Sequence, residues 1–315
     1  MRQQQITNIL STLPELQDFP EILTVFEHLD PGPRPDWDLP ILACMAVGGT
    51  EEQALAGSAA IACLQISIIL VDDMLDDDPR GEFRNRGYGQ TANLAVAFQA
   101  AALRVIDSSS HPEITKGAAS SCLAYVASAT AAGQNLDAMN LEGEENYWRV
   151  IRAKSTPFYG GALQIGAILG GAPAEISKQF YLIGVAIGEI IQIEDDLNDA
   201  FEMPANPDWQ QGRNNLLLLY ASSADHADQE RFIAARSQVS DETLLIEAQK
   251  LLISSGALSY AAFNLIEKYR IAKKLLSSME LERPQLLEKV LDDYAHSLIN
   301  FLEKSGQEIP SNIIS

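Results

Sequence analysis

Cysteine is scarce in this chain. Cys44, Cys63 and Cys122 are the three in 315 residues, far apart and without Cys-x-x-Cys spacing. This excludes a disulfide framework and predicts free, mostly buried thiols in a reducing cytoplasm. Basic residues are also few: 22 Lys and Arg face 43 Asp and Glu, for a net charge of −21. So negative a chain is not built for nucleic acid or an anionic membrane surface. An anionic substrate would have to be drawn in by local metal and local Arg or Lys. The four histidines (His28, His111, His226 and His296) form no Glu-x-x-His pair, which excludes a di-iron carboxylate bundle. The N-terminus MRQQQITNILSTLPEL has no apolar core of a secretory signal, so none is expected. Linkers, low-complexity tracts and convincing repeats are missing too, which predicts one domain over residues 1–315.

What the chain does have is helical spacing almost throughout, with few Val, Ile or Thr alternations. The pattern predicts helices at 51–77, 91–108, 113–135, 144–170, 174–203, 214–224, 226–238, 241–255, 257–279 and 284–304. The fold class expected is therefore all-α, a helical bundle with a core site. Polar, Pro- and Gly-rich breaks fall at Asp30–Pro40, Pro79–Gln90 and Glu202–Gly212. The run from Ala54 to Val71 is long enough to cross a membrane. It holds Ser58, Gln65 and Ser67 and ends in five Asp within seven residues, so a buried core helix without membrane insertion is expected.

Two clusters of one form end two of these apolar helices: Asp72-Asp73-x-x-Asp76 and Asp195-Asp196-x-x-Asp199. On a helix, residues four apart share a face, so the first and last Asp of each cluster project together. Like charges packed beside apolar surface are costly unless something cancels them. Hard divalent cations do so, and Mg2+ is commonly held by one or two carboxylates, waters and substrate phosphates. Oxygen-only ligands point to Mg2+ or Mn2+. A single cluster could be a solvated helix end; two together predict a polyphosphate site bridged by metal ions.

The nearby cations are more ambiguous. Lys154, before Ser155-Thr156-Pro157, could pair a phosphate oxygen beside a helix break, or be an exposed lysine. Arg213 has the same ambiguity. Arg80, Arg84 and Arg86 lie just past the first cluster. The small residues at 160–171 read as helix-packing surface, because no strand precedes them.

Taken together, these residues resemble the trans-isoprenyl diphosphate synthases, the polyprenyl synthetase family, from about residue 30 to 222. The likeness is carried by both Asp motifs, Gly133-Gln134 with Asp137, Lys154 with Thr156, and Gln192. It implies an all-α bundle around a deep apolar cavity, three Mg2+ ions on the Asp motifs, and an allylic prenyl diphosphate as substrate. It also implies a cytoplasmic homodimer, for which the apolar surfaces of helices before residue 135 are the candidate interface.

The same resemblance implies a second diphosphate site, and there the pattern is eroded. The family's Gly-Lys-x-x-Arg-Pro reads Gly32-Pro33-Arg34-Pro35, which carries over Arg34 and loses the lysine. Gln65 matches a position that is His or Gln. The family's Arg-Arg-Gly after the first motif is not intact, with Arg80-Gly81 too close and Arg84-x-Arg86-Gly87 too far. Ile191 stands where Phe is frequent, and Arg213 where Lys is common. Losing a lysine–phosphate pair would cost a few kcal/mol, about two orders of magnitude in binding. Ser67 and Ile68 occupy positions where aromatic side chains would block the cavity floor, so a C15 to C20 chain is expected to fit.

The leading expectation is thus a class I terpene synthase of this fold, ionising a prenyl diphosphate without condensing it. Asp72, Asp73, Asp76, Asp195, Asp196 and Asp199 would hold metal. Lys154, Arg213 and one of Arg80, Arg84 and Arg86 would hold diphosphate, and Gln192 would face the cation. The alternative is a farnesyl or geranylgeranyl diphosphate synthase condensing the allylic substrate with isopentenyl diphosphate. A non-catalytic regulatory subunit is a more distant alternative.

Overall fold

The computed structural model describes residues 2–28, 34–211 and 214–306, and these contain helices, turns and no strand. The N-terminal part carries α1 (Arg2–Ser11), α2 (Pro14–Gln17), α3 (Glu21–His28) and, after a 3-10 turn at Pro35–Asp38, α4 (Leu39–Ala46). The first Asp cluster ends α5 (Glu51–Leu75), followed by α6 (Phe83–Arg86), α7 (Tyr88–Ser108) and α8 (Glu113–Asp137). Then come α9 (Glu144–Lys154), α10 (Thr156–Leu169) and α11 (Ala174–Phe201), which carries the second cluster. The remainder is α12 (Pro207–Gln211), α13 (Leu216–Ser223), α14 (Gln229–Arg236), α15 (Glu242–Ser254), α16 (Ala257–Ser277) and α17 (Gln285–Lys304).

α5 starts cleanly because Thr50 and Gln53 form a reciprocal capping box, with Glu51 and Glu52 in the first turn. Its middle is apolar all round, and residues from Ala59 to Leu64 are at most 1 % exposed. That is the mark of a helix surrounded by protein. α5 and α11 are both long and apolar enough to span a bilayer by composition, but 67 % and 56 % of their apolar windows are buried inside the bundle. The buried-core reading of 54–71 therefore stands.

The small residues of α10 pack it between α5, α8, α4 and α11. A side chain at Gly166 would run into the backbone of Pro40. The stretch 160–171 is packing surface, as its sequence predicts, and α10 is the central rod between the two Asp-bearing helices.

Two expectations need correction. The span 144–170 is two helices, broken at Ser155, where Pro157 lies in the first turn of α10 and cannot continue the hydrogen-bond ladder of α9. The N-terminal α1 to α4 were not anticipated. α1 is a polar helix (RQQQITNILS) whose Ile6 and Leu10 are fully buried against the core, so tertiary packing rather than its own pattern holds it.

Candidate active site

The site is built where the ends of α5, α8, α9 and α11 converge. Gly133 on α8 makes the convergence possible: a Cβ there would collide with the backbone of Ala153 and Lys154 on α9. With that contact closed, Asp137 at the end of α8 meets Lys154 at the end of α9. The Lys154 Nζ lies 2.6 Å from Asp137 Oδ2 and 2.9 Å from Asp72 Oδ1. One ammonium thus ties three helices together. Burial lowers its pKa and the two carboxylates raise it, with a net upward shift, so Lys154 is charged. Gln134, beside Gly133, donates to the Ile68 carbonyl of α5 at 3.0 Å.

These ends surround a cavity of about 440 Å³ lined mainly by polar side chains, among them Asp72, Asp76, Asp137, Lys154, Gln192 and Asp199. Tyr147, Val150 and Ile151 of α9 supply part of its wall. Asp208, just past the second cluster, reaches the same cavity. Tyr147 and Asp208 were missed from sequence. Asp208 sits in a segment read as a break, and Tyr147 follows an acidic helix start with no chemical signature of its own.

The two Asp clusters sit differently. In the first, burial is the main force raising the pKa of Asp72, opposed by Lys154. Burial and then Asp78, Asp72 and Asp76 push Asp73 to about 6. In the second, Asp196 is 3 % exposed. Its Oδ2 accepts the Leu216 backbone N–H at 2.7 Å and its Oδ1 accepts Gln192 Nε2 at 3.2 Å. The Tyr147 hydroxyl faces Asp196 without a hydrogen bond of regular geometry. Asn215 donates to the Asp196 carbonyl at 2.8 Å and caps α13 through Leu217 and Leu218. Asp196 is therefore anchored inward, and burial still pushes it to about 7. Asp195 projects outward and is pushed to about 7 by desolvation, then by Asp199, Glu194 and Asp36. Asp199 is pushed to about 6 by burial, Asp208 and Glu202; Asn206 donates to it at 2.9 Å.

Burial and mutual repulsion raise these carboxylates together, and a cation among them would favour their charged forms. The donors are all oxygen, which fits a hard divalent cation. Among the described residues, no three His, Cys, Asp or Glu side chains close on one point as a protein-only cage. That also fits Mg2+, which takes one or two carboxylates and completes its shell with water and phosphate.

The predicted diphosphate cations separate into two groups. Lys154 is in the cavity. Arg84 pairs with Asp77 at 2.8 Å, and Arg86 with Glu82 at 2.5 Å, outside the cavity lining. Arg80 pairs with Asp78 at 3.0 Å. Arg213, like Gly32 and Pro33, lies outside the described residues. Ser67 is buried and Ile68 is half-buried on α5, and neither lines the 440 Å³ cavity. Ile68 shares a helical stripe with Asp72 above and Leu64 below. Leu64 lines a second, apolar cavity of about 370 Å³ between α5, α7 and α8, with Leu103, Leu123 and Ala127. Gln65 on α5, outside the lining of both cavities, donates to Asp36 Oδ2 at 2.8 Å and accepts the Trp37 indole N–H at 2.6 Å.

The polyprenyl synthetase profile matches residues 38–251, which contain both clusters, Lys154 and the whole cavity wall. The chain belongs to the polyprenyl synthetase family. A curated relative, the short chain isoprenyl diphosphate synthase of Methanothermobacter thermautotrophicus, is 30 % identical over 264 residues, covering 77 % of this chain and 79 % of that one. The geranylfarnesyl diphosphate synthase of Aeropyrum pernix is 27 % identical over 281 residues, 80 % and 86 % of the two chains. Among solved structures, geranylgeranyl pyrophosphate synthetase from Pyrococcus horikoshii Ot3 matches with a TM-score of 0.80 at 20 % identity, covering 93 % of this chain and 94 % of that one. The enzyme from Corynebacterium glutamicum, solved with calcium and isoprenyl diphosphate, matches at 0.78 and 20 % identity over 94 % and 95 %. These likenesses establish the all-α polyprenyl synthetase fold. The curated relatives' names are those of prenyltransferases, so the terpene-synthase expectation gains no support from them and its chain-elongating alternative does.

Proposed function

We propose that this polyprenyl synthetase ionises an allylic prenyl diphosphate of C15 to C20 length and passes the resulting cation to an acceptor. The observation that carries the reading is Lys154, held between Asp72 and Asp137 on the rim that faces Asp199 across the cavity. Asp72, Asp73 and Asp76 on one side, with Asp195 and Asp199 on the other, would hold the Mg2+ ions. Bound there, the cations supply charge neutralisation for the departing diphosphate. Lys154 adds a fixed positive charge to the same oxygens, at a position that costs no reorganisation when the carbon–oxygen bond breaks. Gln192, its amide fixed by Asp196 and by the Ser155 hydroxyl at 3.2 Å, turns a polar but uncharged face to the cation. The Ile68–Leu64 stripe offers the prenyl tail an apolar path from the upper cavity toward the lower one.

For the fate of the cation, the relatives support chain elongation: the double bond of isopentenyl diphosphate attacks the allylic carbon, and proton loss restores an alkene. The terpene-synthase route is the second reading. Asp36 favours it, because it sets a carboxylate beside Gln65, where the family resemblance implies a second diphosphate. A homodimer across the exposed apolar residues of α7 and α8 (Val96 and Tyr125) belongs to the same proposal.

A paired incubation with Mg2+ tests it. Geranylgeranyl diphosphate alone should release pyrophosphate and a phosphatase-independent hydrocarbon or alcohol if the cation is closed internally. Farnesyl diphosphate with isopentenyl diphosphate should give a longer diphosphate by mass spectrometry if elongation follows. Pyrophosphate release from neither, at any allylic chain length, would overturn the reading.

A further inference from the structure

α9 carries two stripes of side chains. Tyr147, Ile151 and Lys154 line the polar cavity. Glu144, Trp148 and Arg152 follow one another at intervals of four and so share a neighbouring face; Ser155, at the break, closes both stripes. Every member of the second stripe is engaged. Glu144 accepts the Trp148 indole N–H at 3.1 Å and the hydroxyl of Tyr260 on α16. The Lys268 ammonium of α16 sits 5.0 Å from the centroid of the Trp148 ring. Arg152 pairs with Glu189 of α11 at 3.1 Å, and Ser155 donates to Gln192 of α11 at 3.2 Å.

Glu189 is the unusual partner in this set. Its side chain is 8 % exposed, yet both of its oxygens meet a cation: Arg152 at Oε1, and Lys268 at Oε2 at 2.9 Å. Burying a carboxylate with its cations adds little net stability, and well-packed apolar residues would serve as well. What such a group supplies is a fixed direction. Lys268 occupies one oxygen and leaves the other turned to Arg152. Arg152 stands two residues before Lys154, about 200° round the helix, so the two side chains leave α9 on nearly opposite sides. The last turn is thus drawn to α11 on one side, while on the other it presents Lys154 to Asp72 and Asp137. The Arg152 carbonyl also accepts the Thr156 hydroxyl at 2.9 Å, which ties this turn to the start of α10.

We propose that Glu189 is a positioning residue that acts through Arg152 to hold the last turn of α9, and with it Lys154, in place for the departing diphosphate. The inference rests on the reading of Lys154 above and deepens it. Glu189, Arg152 and Lys268 all lie outside the cavity lining, so their effect on the reaction passes through α9. Without the Glu189 charge the Arg152 side of the turn is released, and the Lys154 ammonium is no longer held at one point.

The test is pyrophosphate release from geranylgeranyl diphosphate with Mg2+, comparing wild type with Glu189→Gln and Arg152→Gln, each alone and combined with Lys154→Ala. Glu189→Gln keeps the shape and removes the charge. Arg152→Gln changes an exposed side chain and covers the case in which the first variant does not fold. With Lys154 present, kcat should fall by about tenfold or more and KM should stay within about threefold, because a misplacement of about 1 Å is enough for such a loss. In the Lys154→Ala background the same substitution should change kcat by less than about twofold, since the group it positions is gone. Equal losses in the two backgrounds overturn the proposal, as does full turnover in a folded variant whose melting temperature alone has dropped. Amide hydrogen exchange over residues 151–156 should quicken in a folded variant, and unchanged exchange overturns the proposal as well. Exchange reads the turn without turnover, so failure of the broader reading is seen separately, as absent pyrophosphate release by the wild type from every allylic substrate.

Discussion

The Asp clusters at 72–76 and 195–199 have one spelling and two physical situations. The first is tied down by a side-chain cation, Lys154, which Asp72 shares with Asp137. The second is tied down by the backbone: Asp196 is locked to the start of α13 through Leu216 and to Gln192, while Asp199 lines the cavity and Asp195 is exposed outside its lining. A lysine contact can be traded for a metal ion or a phosphate oxygen. A buried carboxylate accepting a backbone N–H cannot leave without orphaning that donor. The comparison assigns exchange of charge to the first cluster and, to the second, a split between exchange and architecture.

The sharpest way to break this comparison is to remove charge from the first cluster. Asp72→Ala and Asp73→Ala should each cut pyrophosphate release by about 10³, as loss of a key electrostatic stabiliser does. Their melting temperature should stay close to wild type, because burial disfavours both carboxylates in the folded state. Lys154→Ala should follow with a loss of about 10² in turnover, partly recovered in Lys154→Arg. Recovery of nothing by arginine, with folding intact, would mean that Lys154 only holds the helices together.

The second cluster should respond through stability. Asp196→Ala leaves the Leu216 N–H and the Gln192 amide without their acceptor, costing about 1–3 kcal/mol and lowering the melting temperature by several degrees. Asp195→Ala removes an outward carboxylate and should cost activity with little loss of stability. Equal melting shifts in the two variants would refute the split. The pH dependence follows the same logic. Asp195 and Asp196 are held at about 7, and Asp73 and Asp199 at about 6, against an unfolded value near ~4. The folded state therefore binds more protons through this window, and stability falls as pH rises from about 4 to 7. In chelator the melting temperature should drop over that range, and Mg2+ should flatten the slope; a rise with pH would contradict the assignment. The smallest effect is expected at Arg84→Ala and Arg86→Ala, under about threefold in KM, since both arginines are spent on the local acids Asp77 and Glu82.

How much of this was legible beforehand differs from residue to residue. The clustered aspartates were legible because a charge placed at the end of an apolar helix needs a local reason. Gly133 was legible only through the resemblance; its purpose, clearance for the α9 backbone, is visible only when α8 and α9 are packed. Tyr147 and Asp208 carried no local signal.

By itself, the sequence determined the helical class and the two acidic helix ends, because periodicity and the placement of charge along a helix are local properties. The tertiary structure decided which carboxylates face each other. Lys154 between Asp72 and Asp137, Asp196 against α13, and Asp36 against Gln65 join residues 17 to 82 positions apart or lie at 20 and 29 positions. Electrostatic energy falls with distance in space and is indifferent to distance along the chain, so the charge of each wall, and the substrate that wall accepts, exists only once the helices have packed.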